Sequence, residues 1–461
     1  MTALLSAEEV GRYYIMLSLT SFFALLLVGP MGHYVNRKLL VWQQYGTIMR
    51  NLPLYWIYLV GCTTVAFLIL LPIKVFAGIN IEISWFWIMI IVAGNILCNT
   101  ANLTITTTLN LLGNRIWYFT FTLLTLWGGL GLSALFIYRI GAKAEYWLLG
   151  LIISQFAVFV LAYWYLARSS DLLKNDTTLK FTRKLKTLPK IETLLPPLQF
   201  AWPLSIVAGL SWVQTQSYRF VLSHFGGLEV LGLFAVGYGL ATAIMAAFQQ
   251  VFNIYYGPIF YKAISSQNSE QRRVSWNKMA AYLFPGAIIM TSFIIACAPY
   301  LTRLLVTTEF LDSAQFLLWG ALTQLAFVVG SNMQLIAHAE MKTTWLIPSG
   351  ITGAIVALTC ILVLVQWDPQ LGTGIGLTAA GFTVVVHLAI QLHKQVPYQL
   401  PWKRLFISLA FSTPLLIILL LYINPLISKP SYAQSIIIIT FAGVYFLIVQ
   451  YLLATRWHKL A

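Results

Sequence analysis

Acid is scarce in this chain of 461 residues: 13 Asp and Glu stand against 28 Lys and Arg, and all charged types together make up 9% of the sequence. Every one of those acids falls in a loop or at the end of an apolar stretch, none at its centre. A drug–cation antiporter needs a buried carboxylate to neutralise its cation or carry its proton, so that chemistry has no candidate residue. Cysteine is as sparse. Cys62, Cys98, Cys297 and Cys360 all sit inside apolar runs, which excludes a disulfide framework and a zinc site. Also missing are a catalytic triad, a glycine-rich phosphate loop and a nucleotide fold. Enzymatic activity, a bound cofactor, ATP hydrolysis and a nucleic-acid partner are therefore not expected.

What fills the sequence is apolar surface: 59% hydrophobic residues and a mean hydropathy of +0.80 exclude a soluble domain and make lipid the solvent. An apolar stretch of about 20 residues spans a bilayer as a helix, and such stretches recur along the whole chain. A barrel would show alternating strands of about ten residues instead. The expected architecture is an all-α integral membrane protein of about 13 helices. The expected spans are 11–31, 54–76, 84–106, 116–138, 146–167, 197–222, 231–256, 280–302, 313–335, 343–366, 371–392, 404–424 and 432–455.

Positive loops are retained on the cytoplasmic side. Assigning alternate loops to one side gathers 21 of the 28 Lys and Arg there, including Arg37, Arg115, Lys262 and the basic run from Arg168 to Lys190. The other side receives only Arg12, Lys74, Arg139, Lys143, Arg219, Arg303 and Lys429. The C-terminus is therefore expected inside and the N-terminus outside. An outside start reading MTALLSAEEV has neither the basic nor the apolar region of a signal peptide. A first helix missing upstream is the expectation that follows.

A weak internal repeat supports that count. The segment EEVGRYYIMLSL from Glu8 echoes EVLGLFAVGYGL from Glu229, pairing Gly11 with Gly232 and Leu19 with Leu240 at one constant offset. Each copy is followed by Gly-Pro (Gly29–Pro30, Gly257–Pro258) and then a basic residue, Arg37 or Lys262. The copies open the first and seventh spans, as expected for two parallel six-helix lobes. The domain reading is an N-terminal lobe at 1–167 with five helices present, a basic cytoplasmic linker at 168–196, a six-helix lobe at 197–392, and two additional helices at 393–461.

Two segments, LLSAEEVGRYYIMLSLTSFFALLLVGPMGHYVNR and FAWPLSIVAGLSWVQTQSYRFVLSHFGGLEVLGLFAVGYGL, are joined by that long basic loop. In this combination the chain resembles the polysaccharide transporter, or O-antigen-type oligosaccharide flippase, branch of the multidrug/oligosaccharidyl-lipid/polysaccharide exporter superfamily. The acidic member of the pair that such families carry near the end of the second segment is absent, because Tyr218 precedes Arg219. The resemblance implies two lobes that alternate between inward-open and outward-open states. It also implies a bacterial inner-membrane flippase that moves an undecaprenyl-pyrophosphate-linked glycan outward for surface polysaccharide biosynthesis. Membrane lipids and other polysaccharide-assembly proteins are the partners it suggests. The alternatives are a flippase of another lipid-linked cell-wall precursor, a multidrug exporter, and a glycan polymerase or ligase. The last would bring a long outer loop, and none here exceeds about 15 residues.

Polar residues inside spans mark candidate sites because burying them in lipid is costly. Asn95, Asn99 and Asn102 form one stripe at i, i+4 and i+7, and Gln249, Asn253 and Tyr256 form another. Amide side chains both donate and accept, which suits sugar hydroxyls; the ordinary reading is glue between helices. Gln214 has the same two readings. His387, the one histidine well inside a span, is read first as a packing residue and second as a proton relay. Arg219, Arg37, Arg115 and Lys262 adjoin helix ends beside the repeats. A cavity mouth there would receive a pyrophosphate, to which the arginine fork is matched. For Arg37 and Arg115 topology is an equal explanation. Arg219, on the poorly charged side and without an acidic neighbour, is the strongest substrate candidate.

Overall fold

A chain dissolved in lipid must satisfy its backbone groups within each crossing segment, and here helices do so. The computed structural model describes residues 1–76, 84–169, 191–264, 269–340, 342–422 and 430–456, with no strand among them. The N-terminal helices are α1 (Ala7–Phe23), α2 (Gly29–Gln44), α3 (Ile48–Phe76), α4 (Trp85–Gly94), α5 (Thr100–Leu111), α6 (Arg115–Arg139) and α7 (Ala144–Arg168). They are followed by α8 (Ile191–Gln216), α9 (Tyr218–Ile264), α10 (Ser269–Ala296), α11 (Ala298–Leu305) and α12 (Ala314–Ala339). The chain closes with α13 (Ile347–Leu364), α14 (Pro369–His393), α15 (Trp402–Tyr422) and α16 (Tyr432–Arg456). Single π-turns, Ala24–Val28 and Asn95–Asn99, join α1 to α2 and α4 to α5, so each pair makes one interrupted span.

Among the described residues eleven segments are long and apolar enough to cross a membrane. One of them, Ser205–Tyr256, runs for 52 residues, which at about 1.5 Å per residue is more than twice the bilayer core. Gly227 divides it into two arms, with φ 83° and ψ 170°, a conformation glycine adopts without steric cost. With α15, which covers most of the expected 404–424 segment, all thirteen expected spans fall on helices. Two boundaries are corrected. The first arm of the long helix continues past the expected end at 222 to Gly226. The expected 280–302 segment begins at Ser269, because its polar first turns are helical too, and it bends at Cys297 into α11. Of the basic linker expected at 168–196, residues 170–190 lie outside the described residues.

The chain divides into two compact units, residues 1–11 with 213–461, and residues 12–212. In the smaller unit an apolar core of Ile48, Leu52, Ile105, Leu109, Phe121, Val158 and Leu166 joins α3, α5, α6 and α7. Small and polar residues then draw α6 and α7 together. Ser133 Oγ donates to Trp147 O at 2.6 Å, and a Cβ on Gly150 would lie 2.5 Å from the Ser133 nitrogen. In lipid such close backbone approach takes over the role that apolar burial has in water. The larger unit is built around Met245, Phe248, Trp276, Met279, Phe284, Leu317 and Met333. Asp368 caps α14 by accepting from the Gln370 and Leu371 N–H groups at 2.8 and 2.9 Å, with Pro369 at the first helical position. The last two helices pack on α10 and α11. Tyr445 bonds Phe411 O at 2.7 Å, and Ile289, Val449 and Leu453 form a local core.

The sequence repeat has a direct geometric counterpart inside the larger unit. A Cβ on Gly11 would sit 2.0 Å from Leu228 O, and a Cβ on Gly232 would sit 1.9 Å from Ala7 O. Ala7 and Leu228 are separated by the same offset as the two glycines, so the two contacts are reciprocal copies of one another. The repeat-opening helix starts cross backbone to backbone at their glycines. Neighbouring bonds hold the crossing. The Ala7 N–H donates to Glu309 Oε1 at 2.9 Å, and Thr307 Oγ1 donates to Thr2 O at 2.8 Å.

Candidate functional site

Arg219 follows closely on the break at Ser217 that separates α8 from α9, and only 9% of it is exposed. Its environment is aromatic. Arg219 Nε donates to the Tyr218 hydroxyl at 3.3 Å, and its guanidinium lies 5.6 Å from the Tyr218 ring centroid. Tyr218 packs on Phe234 and Tyr238 at 5.5 and 5.9 Å, Phe234 on Phe316 at 5.1 Å, and Tyr238 reaches the Gln324 side chain. The expectation of an unpaired guanidinium at a helix end is therefore corrected: the charge is partnered and deep in the helical packing. A cation over an aromatic face is favourable where water is excluded, which explains how the position is tolerated.

The remaining candidates in the larger unit divide by environment. Gln214 is buried and packs on Gly353, whose Cβ would lie 2.9 Å from Gln214 Oε1; its Nε2 has no hydrogen-bond partner among the described residues. Gln249 Nε2 donates to Ser331 Oγ of α12 at 3.0 Å, so it acts as glue, whereas Asn253 is exposed. Tyr256 of the same stripe stacks on Phe252 and Tyr282. His387 shares a 3.0 Å hydrogen bond with Thr352 Oγ1 of α13, in keeping with its first reading as a packing residue. Lys262 and Arg37 lie on helices, but their side chains are outside the described residues.

In the smaller unit the asparagine stripe is split by the π-turn that begins at Asn95. The Thr100 N–H donates to Asn95 O and Leu97 O, bypassing Ile96 O, which an α-helix would use. The extra residue shifts the helix face. Asn102 turns into the seam with α6, is 2% exposed and donates to Thr125 Oγ1 at 3.0 Å, while Asn95 and Asn99 stay half-buried. Arg115 is exposed at the first turn of α6. Sequence reasoning missed one buried charge. Glu145, in the first turn of α7, is 7% exposed, and its Oε2 has no hydrogen-bond partner among the described residues. Its position at a helix start was legible, its burial was not. No group of three or more His, Cys, Asp or Glu able to hold a metal ion occurs among the described residues.

Helical spans, interrupted helices and a repeat crossing define a polytopic all-helical fold, and solved structures share it. The chain is similar to the inward-facing conformation of a multidrug resistance MATE family transporter of the MOP superfamily, with TM-score 0.64, 14% identity, and 85% of this chain and 92% of that one covered. It is similar as well to the lipid II flippase MurJ in an inward closed conformation, with TM-score 0.61, 13% identity, and 99% and 93% coverage. A Vibrio cholerae MATE transporter, VcmN, gives TM-score 0.51 at 15% identity, with 84% and 87% coverage. No protein-family model matches the sequence, and no curated protein matches it. The likeness is one of fold: the helical spans are arranged as in these solved structures.

Proposed function

We propose that this protein flips a polyprenyl-pyrophosphate-linked oligosaccharide outward across the bacterial inner membrane by alternating access. In this reading the N-terminus is outside, the C-terminus is cytoplasmic, and the lobes are 1–167 and 197–392, with the basic linker at 168–196 between them in sequence. The observation that carries it is the charge inside the larger unit. Its one buried charged side chain among the described residues is Arg219, a cation, set against the Tyr218 ring with Phe234, Tyr238 and the Gln324 amide packed beyond it. Such a setting suits an anionic headgroup and repels a cationic drug. The similarity to a lipid II flippase over 99% of the chain supports a lipid-linked substrate.

The test is surface-glycan display in a strain lacking the gene. Arg219→Ala should abolish display at unchanged protein abundance. Arg219→Lys should restore it in part, because an ammonium lacks the bidentate fork. The exposed Arg139, replaced by Ala, should be silent. Full complementation by Arg219→Ala would reassign the residue to packing. A second reading, in which the cargo is a peptidoglycan precursor, is favoured by that same structural similarity; rescue of a strain depleted of its lipid II flippase would select it.

A further inference from the structure

Pro285 stands inside α10 and has no N–H, so Ala281 O loses its helical donor. Arg404, at the opening of α15, supplies one in its place. Its Nη1 donates to Ala281 O at 3.2 Å, and its guanidinium lies 5.3 Å from the Tyr282 ring centroid. Two more bonds tie the segment before α15 to the first turns of α10. Arg273 Nη1 donates to Pro397 O at 3.3 Å, and the Gln399 N–H donates to Asn277 Oδ1 at 3.0 Å. The three pairs are 124, 122 and 123 residues apart, so the chain entering α15 runs parallel to α10 in a nearly fixed register. On that spacing Lys278 of α10 falls level with Pro401, close to Lys403.

The charge at this rim has one sign. Arg272 is paired with Glu340 and Arg273 with Glu270, whereas Lys278 and Lys403 are exposed and have no acidic partner among the described residues. Exposed apolar surface continues from them: Trp402, Phe406 and Leu409, at i, i+4 and i+7, form one stripe that leads from the rim along α15. Tryptophan at the opening of a span marks the depth of the lipid headgroups. We propose that this rim binds an anionic phospholipid, its phosphate held by Lys278 and Lys403 and its acyl chains laid along Trp402, Phe406 and Leu409. Basic pockets between membrane helices recognise such headgroups, and two point charges suit a single phosphate. Topology alone requires cations on one side of the membrane, not two lysines held in register by three bonds. The site gives a task to α15, which lies outside the sequence repeat. Its assignment to the cytoplasmic leaflet rests on the proposed orientation; the binding does not, since it is measured in detergent without substrate.

The experiment is thermal unfolding of the purified full-length protein in mild uncharged detergent, titrated with dioleoyl-phosphatidylglycerol or dioleoyl-phosphatidylcholine. The expected result is a saturable rise in unfolding temperature with phosphatidylglycerol and none with phosphatidylcholine. Lys278→Gln and Lys403→Gln should each raise the half-saturating concentration several-fold, and the double variant should lose the shift. Both side chains are exposed, so these variants should fold; Lys278→Arg with Lys403→Arg should keep the response, as should Lys342→Gln at an exposed lysine elsewhere in the larger unit. Equal responses to the two lipids overturn the proposal. So does a wild-type response in the double glutamine variant. An equal rise with inorganic phosphate also overturns it, assigning the lysines to a free anion, and tighter binding of undecaprenyl phosphate would assign the rim to the cargo instead.

Discussion

The glycine crossing offers a sharp test, because its geometry fixes both the size and the non-additivity of the effect. In Gly11→Ala the new methyl would be placed 2.0 Å from Leu228 O, and in Gly232→Ala 1.9 Å from Ala7 O. A carbon rests against a carbonyl oxygen at about 3.3 Å or more, so the helix starts must part by roughly 1.3 Å. The obstacles are backbone atoms, which cannot swing aside as a side-chain tip would. Overpacking of this kind costs about 1–3 kcal/mol, and alanine returns up to about 1 kcal/mol of helix propensity. Each single variant should then lose about 1–2 kcal/mol. Both methyls push apart the same crossing, so the second finds the helices already separated. The double variant should fall short of the sum by about 1 kcal/mol, within the range of coupled contacts. The assay is reversible unfolding in mixed detergent, with Gly61→Ala and Gly443→Ala as references, since a Cβ at either meets nothing within 4 Å. If Gly11→Ala and Gly232→Ala matched these references, or if their effects added, the reciprocal crossing would be refuted.

Three further outcomes follow from individual contacts. Asn102→Ala removes the bond to Thr125 and should destabilise by about 0.6–1.7 kcal/mol, whereas Asn253→Ala, at an exposed position, should leave unfolding in the same detergent unchanged. Gly150→Ala drives a methyl into the Ser133 backbone and should lower the unfolding temperature well below that of Gly61→Ala; equality of the two would show that the α6–α7 seam can relax. Arg272 holds Glu340 through Nε at 3.1 Å and Nη2 at 2.9 and 3.1 Å, with both side chains mostly buried. Glu340→Gln should cost about 1 kcal/mol at low ionic strength, and less as salt is raised; a loss independent of salt would speak against an electrostatic origin.

Much of this fold is legible in sequence because lipid imposes a simple rule, one apolar helix per crossing. The expected apolar stretches fall on helices among the described residues for that reason. The individual environments of the polar residues were not legible, since hydropathy sums over a span and ignores which neighbour each side chain meets. Arg219 shows the difference. Its place on the poorly charged side and its lack of a sequence-adjacent acid are visible in the chain, but Phe234, Tyr238 and Gln324 stand well beyond it in sequence. Only packing brings Phe234 and Tyr238 to Tyr218 beside it, and Gln324 to Tyr238. Glu145 stands at a helix start as its sequence position indicates, but its burial was illegible for the same reason, since it depends on what packs over that first turn.

The repeat shows where sequence periodicity carries structural meaning and where it stops. Around Gly11 and Gly232 the offset holds to the atom, because the two glycines and the two carbonyls they approach share it. Carried on to Gly29, that same offset arrives at Gln250, whereas the second Gly-Pro pair stands at Gly257 and Pro258, so the register has slipped before the pairs are reached. Their structures differ accordingly. Gly29–Pro30 follows a π-turn whose released carbonyls open the middle of a span, while Gly257–Pro258 lies in α9, where Gly227 is the one residue with non-helical dihedrals. A proline removes one N–H wherever it stands. It creates a cluster of released carbonyls only where the preceding turn has already diverted a donor and a second interrupted helix packs alongside. By that argument the two halves share their helix starts but not the interruption that follows: the first copy reaches its Gly-Pro pair through a π-turn, and the second carries its pair within a continuous helix.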